Sequence, residues 1–311
     1  SGVIQLGADN SSDVLQKGKG NNTSGVIQVG ADNSSEVFQE GKYFFGGSNL
    51  SGVIQLGLSN GSEVSQLGRE NESGVIQVGE ENGSMVDQNG ATNASGVIQL
   101  GLSNDSEVTQ AGIENTSGVL QIGAGNESYV NQQGTGFFFF GGNTSLVAQG
   151  GLENYSDVDQ KGVFNQSGVL QLGANNGSIV DQDGLSNGSI VAQLGSDNES
   201  MVDQDGGLNG SLVLQTGDDN GSTVAQDGYV NLSIVAQIGN ENDSYVEQGG
   251  GNGSIVAQLG NRNDSYVDQE EDNGSIVAQL GNRNDSYVEQ GGGNGSIVAQ
   301  LGNRNDSYVE Q

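Results

Sequence analysis

Asparagine, serine and glutamine at regular spacing are the residues of this chain with the clearest capacity for chemistry. Asn-x-Ser occurs at 27 places and has the form of an N-glycosylation acceptor. The acidic turns at Glu80–Asn82 and Asp218–Asn220 carry oxygen atoms of the kind that Ca²⁺ binds, although the glycine-aspartate nonapeptide of calcium-binding β-rolls is absent. Histidine and cysteine, which supply many general bases, thiol nucleophiles and soft metal ligands, do not occur. We therefore predict no enzymatic activity, no cofactor and no metal site, and we interpret the acidic turns as a solvated edge.

The chain is strongly acidic and only modestly hydrophobic. Its formal net charge is −31, from 39 acidic and 8 basic residues. A nucleic-acid partner needs a basic surface, so we expect none. No apolar run approaches the roughly 18 residues of a membrane-spanning helix, and we expect no membrane insertion. No signal segment opens the chain, which predicts a mature form if the protein is secreted.

Such a composition would ordinarily suggest a disordered chain, but an internal repeat argues against disorder. The unit is N-x-S-x-V-x-Q-x-G-x-x, after which asparagine returns, as from Asn22 to Asn33, and it occurs in 28 copies. Serine, valine and glutamine keep their places in every copy. Glycine does so in 26 of the 27 copies that are long enough to show it, with Glu271 as the exception.

The spacing of the asparagines shows that two copies form the structural unit. Within each pair the asparagines keep one constant spacing, as from Asn49 to Asn60, and every departure from it falls between pairs. Both long insertions, at 42–48 and 135–142, also fall between pairs. We therefore predict a single repeat solenoid over 1–311 with 14 rungs, in which one turn of each rung has a fixed length and the other tolerates change.

Alternation within each copy predicts a β-strand with one uniform face. Asparagine, serine, valine and glutamine occupy alternate positions, and the following Gly-x-x-Asn provides a tight turn. The serine, valine and glutamine columns carry no charge, so we predict that they point inward and that like side chains stack in register, which pairs their polar groups. The predicted fold is an all-β solenoid of strand-turn-strand rungs of about 22 residues with amyloid-like cross-β stacking. In one rung the predicted inward ladder residues are Ser24, Val26, Gln28, Gly30, Asn33, Ser35, Val37 and Gln39.

The outward positions differ between the two strands of a rung. First strands carry residues such as Ile27 and Val29, whereas second strands are mostly acidic or mixed there, as at Glu36. This pattern predicts one apolar outer sheet, typical of an interaction surface, and one acidic sheet. The aromatic insertions, Tyr43–Phe45 and Phe137–Phe140, either cover the apolar sheet or contact a neighbouring filament.

These residues resemble the curlin repeat family, the functional-amyloid subunits of bacterial curli fibres. The family pattern is similar to S-x5-Q-x-G-x-x-N-x-A-x3-Q, and Gln28, Gly30, Asn33 and Gln39 match its glutamine, glycine and asparagine positions. Asparagine replaces the leading serine, and Ser35 replaces the alanine. The resemblance implies a secreted structural subunit of a Gram-negative biofilm matrix, forming extracellular fibres that adhere to surfaces or cells. It also implies a nucleating subunit and an outer-membrane secretion pore as partners.

Both extremities of the repeat present open strand edges, which predicts self-association. We expect copies to stack head to tail into a fibre, because each end is a template for the opposite end of another copy. Mutual repulsion at −31 should make assembly faster when salt is added. The predicted polymerisation ends are Ser1, Val3 and Gln5 on one side and Asn305, Ser307, Val309 and Gln311 on the other.

Two other classes of β-solenoid or β-helix protein fit this sequence less well. An ice-binding solenoid needs ranks of outward threonine, and threonine here is scarce and unranked. A monomeric adhesin or enzyme on a β-helix carries irregular loops with clustered functional residues, whereas these turns are short and uniform. Thermal hysteresis would identify the first class, and a stable monomeric size after ageing would identify the second.

Overall fold

The structure, a computed structural model, describes residues 1–18, 20–41, 47–134 and 141–311. These residues form two compact units, Ser1–Phe164 (unit 1) and Asn165–Gln311 (unit 2). The prediction of one solenoid over the whole chain stays a prediction. Most of the two predicted insertions, including all their aromatic residues, lies outside the described residues.

Both units consist of strands joined by short turns, and the described residues contain no helix. Accordingly, none of these residues forms a helix that could cross a bilayer. Unit 1 contains β1 (Gly2–Ala8), β2 (Ser11–Gly18), β3 (Thr23–Ala31), β4 (Ser34–Gly41), β5 (Leu50–Leu58), β6 (Gly61–Arg69), β7 (Glu72–Glu80), β8 (Gly83–Ala91), β9 (Ala94–Leu102), β10 (Asp105–Ile113), β11 (Thr116–Ala124), β12 (Glu127–Gly134), β13 (Thr144–Leu152) and β14 (Tyr155–Val163). Unit 2 contains β15 (Gln166–Ala174), β16 (Gly177–Leu185), β17 (Gly188–Ser196), β18 (Glu199–Gly207), β19 (Gly210–Asp218), β20 (Gly221–Tyr229), β21 (Leu232–Ile238), β22 (Asp243–Gly250), β23 (Gly253–Leu259), β24 (Asp264–Glu271), β25 (Gly274–Leu280), β26 (Asp285–Gly292), β27 (Gly295–Leu301) and β28 (Asp306–Glu310).

Each unit is a β-solenoid of two parallel sheets. In unit 1 the odd strands pair in chain order from β1 to β13, and the even strands from β2 to β14. Unit 2 repeats this arrangement with β15 to β27 and β16 to β28. The described strands thus make 14 two-strand rungs, seven in each unit, and the predicted fold class is confirmed.

Pairing within each sheet brings like residues together. Between β3 and β5, for example, Ser24 lies beside Ser51 and Gln28 beside Gln55. The strands form because β-branched valine and isoleucine favour extended backbone, and because the absence of proline leaves every strand N–H available for the ladder. In-register parallel stacking is the cross-β arrangement that the repeat predicts.

The turn from each odd strand to the next even strand uses two residues with positive φ. In the turn after β3 these are Gly30 at φ 130° and Asp32 at φ 57°. The asparagine that follows is not among the residues with positive φ, and its side chain points inward instead. Charged residues hold the left-handed position of this turn in most rungs, up to Arg304 at φ 60°.

The glycine of this turn is required by close backbone contact. A Cβ added at Gly101 would collide with the carbonyl oxygen of Gly123 one rung away. The other turn is less crowded in the later rungs, where a Cβ at Gly250 or Gly292 would meet no heavy atom closer than 3.9 Å. Glu271, the exception in the glycine column, lies between these two glycines in the even sheet. The open space explains why glutamate is tolerated there.

Candidate functional site

The inward columns of each unit form its core. In the rung quoted above, the side chains of Val26, Gln28, Val37 and Gln39 are at most 1% exposed. Ser24, Asn33 and Ser35 are also buried, and Gly30, in the turn, is partly exposed. The core is therefore half polar, and its stability depends on how the amides and hydroxyls are paired.

Glutamine side chains form unbroken hydrogen-bonded ladders within each unit. In unit 1, Gln5 Nε2 donates to Gln28 Oε1 at 2.7 Å, and Gln28 Nε2 donates to Gln55 Oε1 at 2.8 Å. In unit 2, the last steps run from Gln279 Nε2 to Gln300 Oε1 at 3.0 Å and from Gln290 to Gln311 at 3.4 Å. Every step runs from the earlier to the later rung, so the ladders have a direction.

The same amides join the two sheets of a unit. Gln28 Nε2 also donates to the main-chain oxygen of Ser11 at 2.8 Å, and Gln39 Nε2 donates to that of Thr23 at 3.1 Å. Each glutamine therefore bonds along the stack and across the core. Because the bonds lie in a low-dielectric interior, the loss of one partner is costly.

Asparagine ladders distinguish the two turns of a rung. The fixed-length turn connects an odd strand to the next even strand, and the variable turn connects an even strand to the next odd strand. In the fixed-length turn, Asn33 Nδ2 donates to Asn10 Oδ1 and Asn60 Nδ2 to Asn33 Oδ1, both at 2.9 Å. In the variable turn the corresponding contact from Asn71 to Asn49 is longer, 3.3 Å. In other rungs of that turn the side-chain donor bonds a main-chain carbonyl, as from Asn187 to Gln204 and from Asn252 to Gln269. The regular ladder accompanies the turn whose spacing never changes.

Serine hydroxyls behave differently from the amides. Twenty-five of them, for example those of Ser24 and Ser35, are buried without a hydrogen-bond partner among the described residues. The prediction that stacking pairs every inward polar group is therefore wrong for these serines. The hydroxyl is too short to reach its copy across a spacing of about 4.8 Å, whereas an amide group fits that distance.

The predicted polymerisation ends lie in the edge rungs of the described strands. β1 pairs with β3, and β28 pairs with β26. At the first edge, Ser1, Val3 and Gln5 are exposed. At the second edge, Asn305, Ser307 and Val309 are partly exposed and Gln311 is exposed. Val3 is 45% exposed, whereas its partner in the next rung, Val26, is 1% exposed.

The two outer faces have the predicted difference in character. Odd strands expose aliphatic side chains, including Ile98 and Ile122, while the even sheet mixes acidic residues with apolar ones such as Met85.

Burial, followed by the charges of Asp243 and Asp285 in adjacent rungs, raises the pKa of the Asp264 carboxyl.

A tyrosine stack on the even face of unit 2 was not anticipated from the sequence. Tyr245, Tyr266, Tyr287 and Tyr308 stack with ring centroids 4.8–5.1 Å apart. The Tyr287 hydroxyl donates to Glu289 at 2.9 Å, and this bond raises the pKa of Tyr287 to about 12. The signal that could have revealed the stack is the recurrence of tyrosine at the same position of successive even strands.

An ion pair in an exposed turn of unit 2 was also not anticipated. Arg262 Nε and Nη2 donate to the Glu241 carboxylate at 2.6 and 3.0 Å, from one rung to the next. This contact lowers the pKa of Glu241. The two residues are distant in the sequence, so they become neighbours only when the chain is wrapped into rungs.

The remaining candidate sites have little support in the described geometry. Among the described residues, no group of three or more acidic side chains converges as metal ligands would. The asparagines of the Asn-x-Ser sequences are buried in most rungs, as at Asn33, which makes them inaccessible to glycosylation in the folded chain.

Stacked two-strand rungs around a core of laddered amides define a β-solenoid repeat protein. The family model of the curlin associated repeat matches the chain five times, at residues 79–112, 151–184, 179–206, 195–228 and 217–250. The chain therefore contains curlin associated repeats over these residues, and the resemblance stated from its sequence is confirmed there. The curlin repeat family is a structural, non-enzymatic family whose members are extracellular components of curli. No curated protein matches the chain.

Proposed function

We propose that this protein is a structural subunit that assembles head to tail into extracellular, curli-like amyloid fibres of a biofilm matrix. The observation that supports this most strongly is the direction of the amide ladders. Gln279 Nε2 donates to Gln300 Oε1 in the next rung. Gln300 Nε2 donates to the Asp285 carbonyl at 2.6 Å, but no later described rung offers it a glutamine acceptor. Gln5, in the first described rung of unit 1, donates to Gln28 and accepts from no other described glutamine. A second copy placed head to tail supplies Gln5 Oε1 to Gln300 Nε2.

The asparagine ladders support the same polarity in the opposite direction. Asn305 Nδ2 donates to Asn284 Oδ1 at 2.9 Å, so the Asn305 oxygen faces the open side of its rung. Asn10 of the next copy brings an Nδ2 donor to that side. Head-to-head contact would instead oppose donors to donors and acceptors to acceptors, which leaves buried polar groups unpaired.

Further parts of the proposal concern partners and location. The exposed aliphatic face of the odd strands supports adhesion of the fibre to surfaces or cells. By relation to curlin proteins, we also propose a nucleating subunit, an outer-membrane secretion pore and an extracellular location.

Adding one negative charge at adjacent positions of β27 tests the proposal. Gln300 points inward at 7% exposure, and Ala299 points outward and is exposed. Gln300→Glu removes the Nε2 donor and introduces a charge that stacking would bury, so growth at that edge should slow by at least about tenfold. Ala299→Glu adds the same charge to the outer face and should grow near the wild-type rate.

Seeded growth, followed by electron microscopy of each fibre end, measures both rates. Fibre diffraction of the wild-type protein should show the cross-β spacing of about 4.8 Å along the fibre. A wild-type chain that stays monomeric would refute fibre assembly. Equal growth of the two variants would refute head-to-tail stacking.

A further inference from the structure

The fixed-length turn carries, immediately before its asparagine, one residue that is exposed in nearly every rung. We call the stack of these residues the turn column. In unit 1 its members are, in chain order, Asp9, Asp32, Ser59, Glu81, Ser103, Gly125 and Glu153. In unit 2 they are Asn175, Asp197, Asp219, Glu241, Arg262, Arg283 and Arg304. The column is acidic at the β1–β2 edge and basic at the β27–β28 edge.

Opposite charges in adjacent members of this column bind each other directly. The Arg262 guanidinium makes two hydrogen bonds to the Glu241 carboxylate, at 2.6 and 3.0 Å. The backbone bond beside this pair runs from the Arg262 N–H to the Asn240 carbonyl at 3.0 Å. This two-point geometry fixes the orientation of the planar guanidinium, so the contact is specific as well as attractive.

At each edge rung the outermost member of the column has a neighbour of the same charge. Arg304 follows Arg283 at one edge, and Asp9 precedes Asp32 at the other. The Arg304 N–H donates to the Asn282 carbonyl at 3.0 Å, which continues the backbone ladder of the column. The next carbonyl of that series, on Asn303, faces the open side of the rung. An edge of opposite charge from another copy would therefore complete both the side-chain and the backbone series.

We propose that Arg304 of one copy binds Asp9 of the next copy, in the arrangement that Arg262 makes with Glu241. The Asp9 N–H then donates to the Asn303 carbonyl. This inference rests on the head-to-tail assembly proposed above and names the contact that selects its polarity. Head-to-head or tail-to-tail contact would place arginine on arginine or aspartate on aspartate. The ion pair thus opposes, at the junction, the general repulsion between chains of net charge −31.

Charge reversal tests the contact without straining the backbone. Asp9→Arg and Arg304→Glu each place like charges at the junction, and the double variant restores an opposite pair. Arginine and glutamate already occupy the left-handed conformation in this column, at φ 58° in Arg262 and 55° in Glu241, so both substitutions suit the turn. Because the pair is exposed, each single reversal should slow seeded elongation by about three- to tenfold.

Three comparisons separate a specific pair from a general effect of charge. The two single reversals change the net charge in opposite directions, so repulsion alone would make Asp9→Arg faster and Arg304→Glu slower than wild type. The specific pair requires that both be slower. An equal mixture of the two single variants should elongate near the wild-type rate, because an alternating copolymer has only opposite charges at its junctions. Asp197→Arg, which makes the same change in an inner rung, should grow at least as fast as wild type.

The outcomes distinguish this inference from the function on which it rests. If wild-type chains form no fibres, the proposed function fails. If wild-type fibres form and the reversed variants show no rescue in the double variant or in the mixture, the ion pair is overturned while fibre assembly stands. Added salt should reduce the difference between the single variants and wild type, because exposed charges are screened.

Discussion

Two glycines of β9 have opposite structural roles, and replacing each by alanine tests the crowding of the fixed-length turn. Gly101 has φ 136°, a region that residues with a Cβ rarely adopt. An added Cβ there would lie 2.8 Å from the Gly123 carbonyl carbon and 3.2 Å from its nitrogen, and would collide with its oxygen. Gly96, earlier in the same strand, faces outward, and its added Cβ meets nothing within 4 Å.

The expected magnitudes follow from these contacts. Holding alanine in a glycine-only backbone region costs about 1–3 kcal/mol, and overpacking against a backbone that cannot move aside costs about 1–3 kcal/mol more. Gly101→Ala should therefore lower the free energy of unfolding by about 2–6 kcal/mol. Gly96→Ala relieves the entropic cost of glycine in a strand and should raise it by up to about 1 kcal/mol.

Urea denaturation followed by circular dichroism measures both changes. It is best done at low ionic strength and low protein concentration, where chains of net charge −31 repel each other. The slope of the transition should stay the same, so that the midpoint reports stability. Equal midpoints for the two variants would refute the view that backbone contact between turns selects glycine.

Three other perturbations test strain and electrostatics. Val230 is a β-branched residue at φ 64°, so Val230→Asn should raise the free energy of unfolding by about 1 kcal/mol; an unchanged thermal midpoint would contradict this. The pKa of the Asp264 carboxyl is raised, so the folded chain binds the carboxyl proton more tightly than the unfolded chain, in which the pKa is near 3.8. The free energy of unfolding should therefore rise as the pH falls toward 3.8 and decline as the pH rises through the pKa of the folded chain. Asp264→Asn should flatten the pH dependence of the denaturation midpoint in that window, and an identical slope would count against the assignment. Ultraviolet titration should find Tyr287 ionising near pH 12, and Glu289→Gln should bring the pKa of Tyr287 back toward 10.0. An unchanged pKa in that variant would show that the hydrogen bond does not cause the shift.

Much of the fold follows from the sequence because the repeat exposes one physical constraint many times over. A column without charge in every copy, alternating with a column that bears charge, identifies the inward face even though half of that face is polar. The constant spacing within pairs likewise predicts which turn is rigid. The structure agrees through the short asparagine ladder of that turn, such as the 2.9 Å bond between Asn60 and Asn33.

The features that the sequence did not reveal depend on which residues become neighbours along the stack. The direction of the glutamine ladder is a property of side-chain rotation, which no residue pattern records. The pairing of Arg262 with Glu241 and the stacking of Tyr266 on Tyr287 appear only when equivalent positions of successive rungs are compared. The hydroxyl of Ser24 is unpaired because the serine side chain is short. The repeat pattern shows serine and glutamine alike as uncharged polar residues and does not reveal this difference in length.

In the head-to-tail assembly proposed above, strength and specificity have different sources. Every rung presents nearly the same inward side chains, so the glutamine and asparagine ladders bind any rung of the correct polarity about equally well. Discrimination requires a difference in free energy between right and wrong contacts, and only the variable outward and turn positions can supply it. Arg304 and Asp9 occupy such positions at opposite edges. We therefore expect that neutralising both of them, in Asp9→Asn with Arg304→Gln, leaves fibres that still grow by their ladders but discriminate less against neighbouring fibres of other curlin-repeat proteins. Cross-seeding that stays as selective as that of the wild type would assign specificity to other columns.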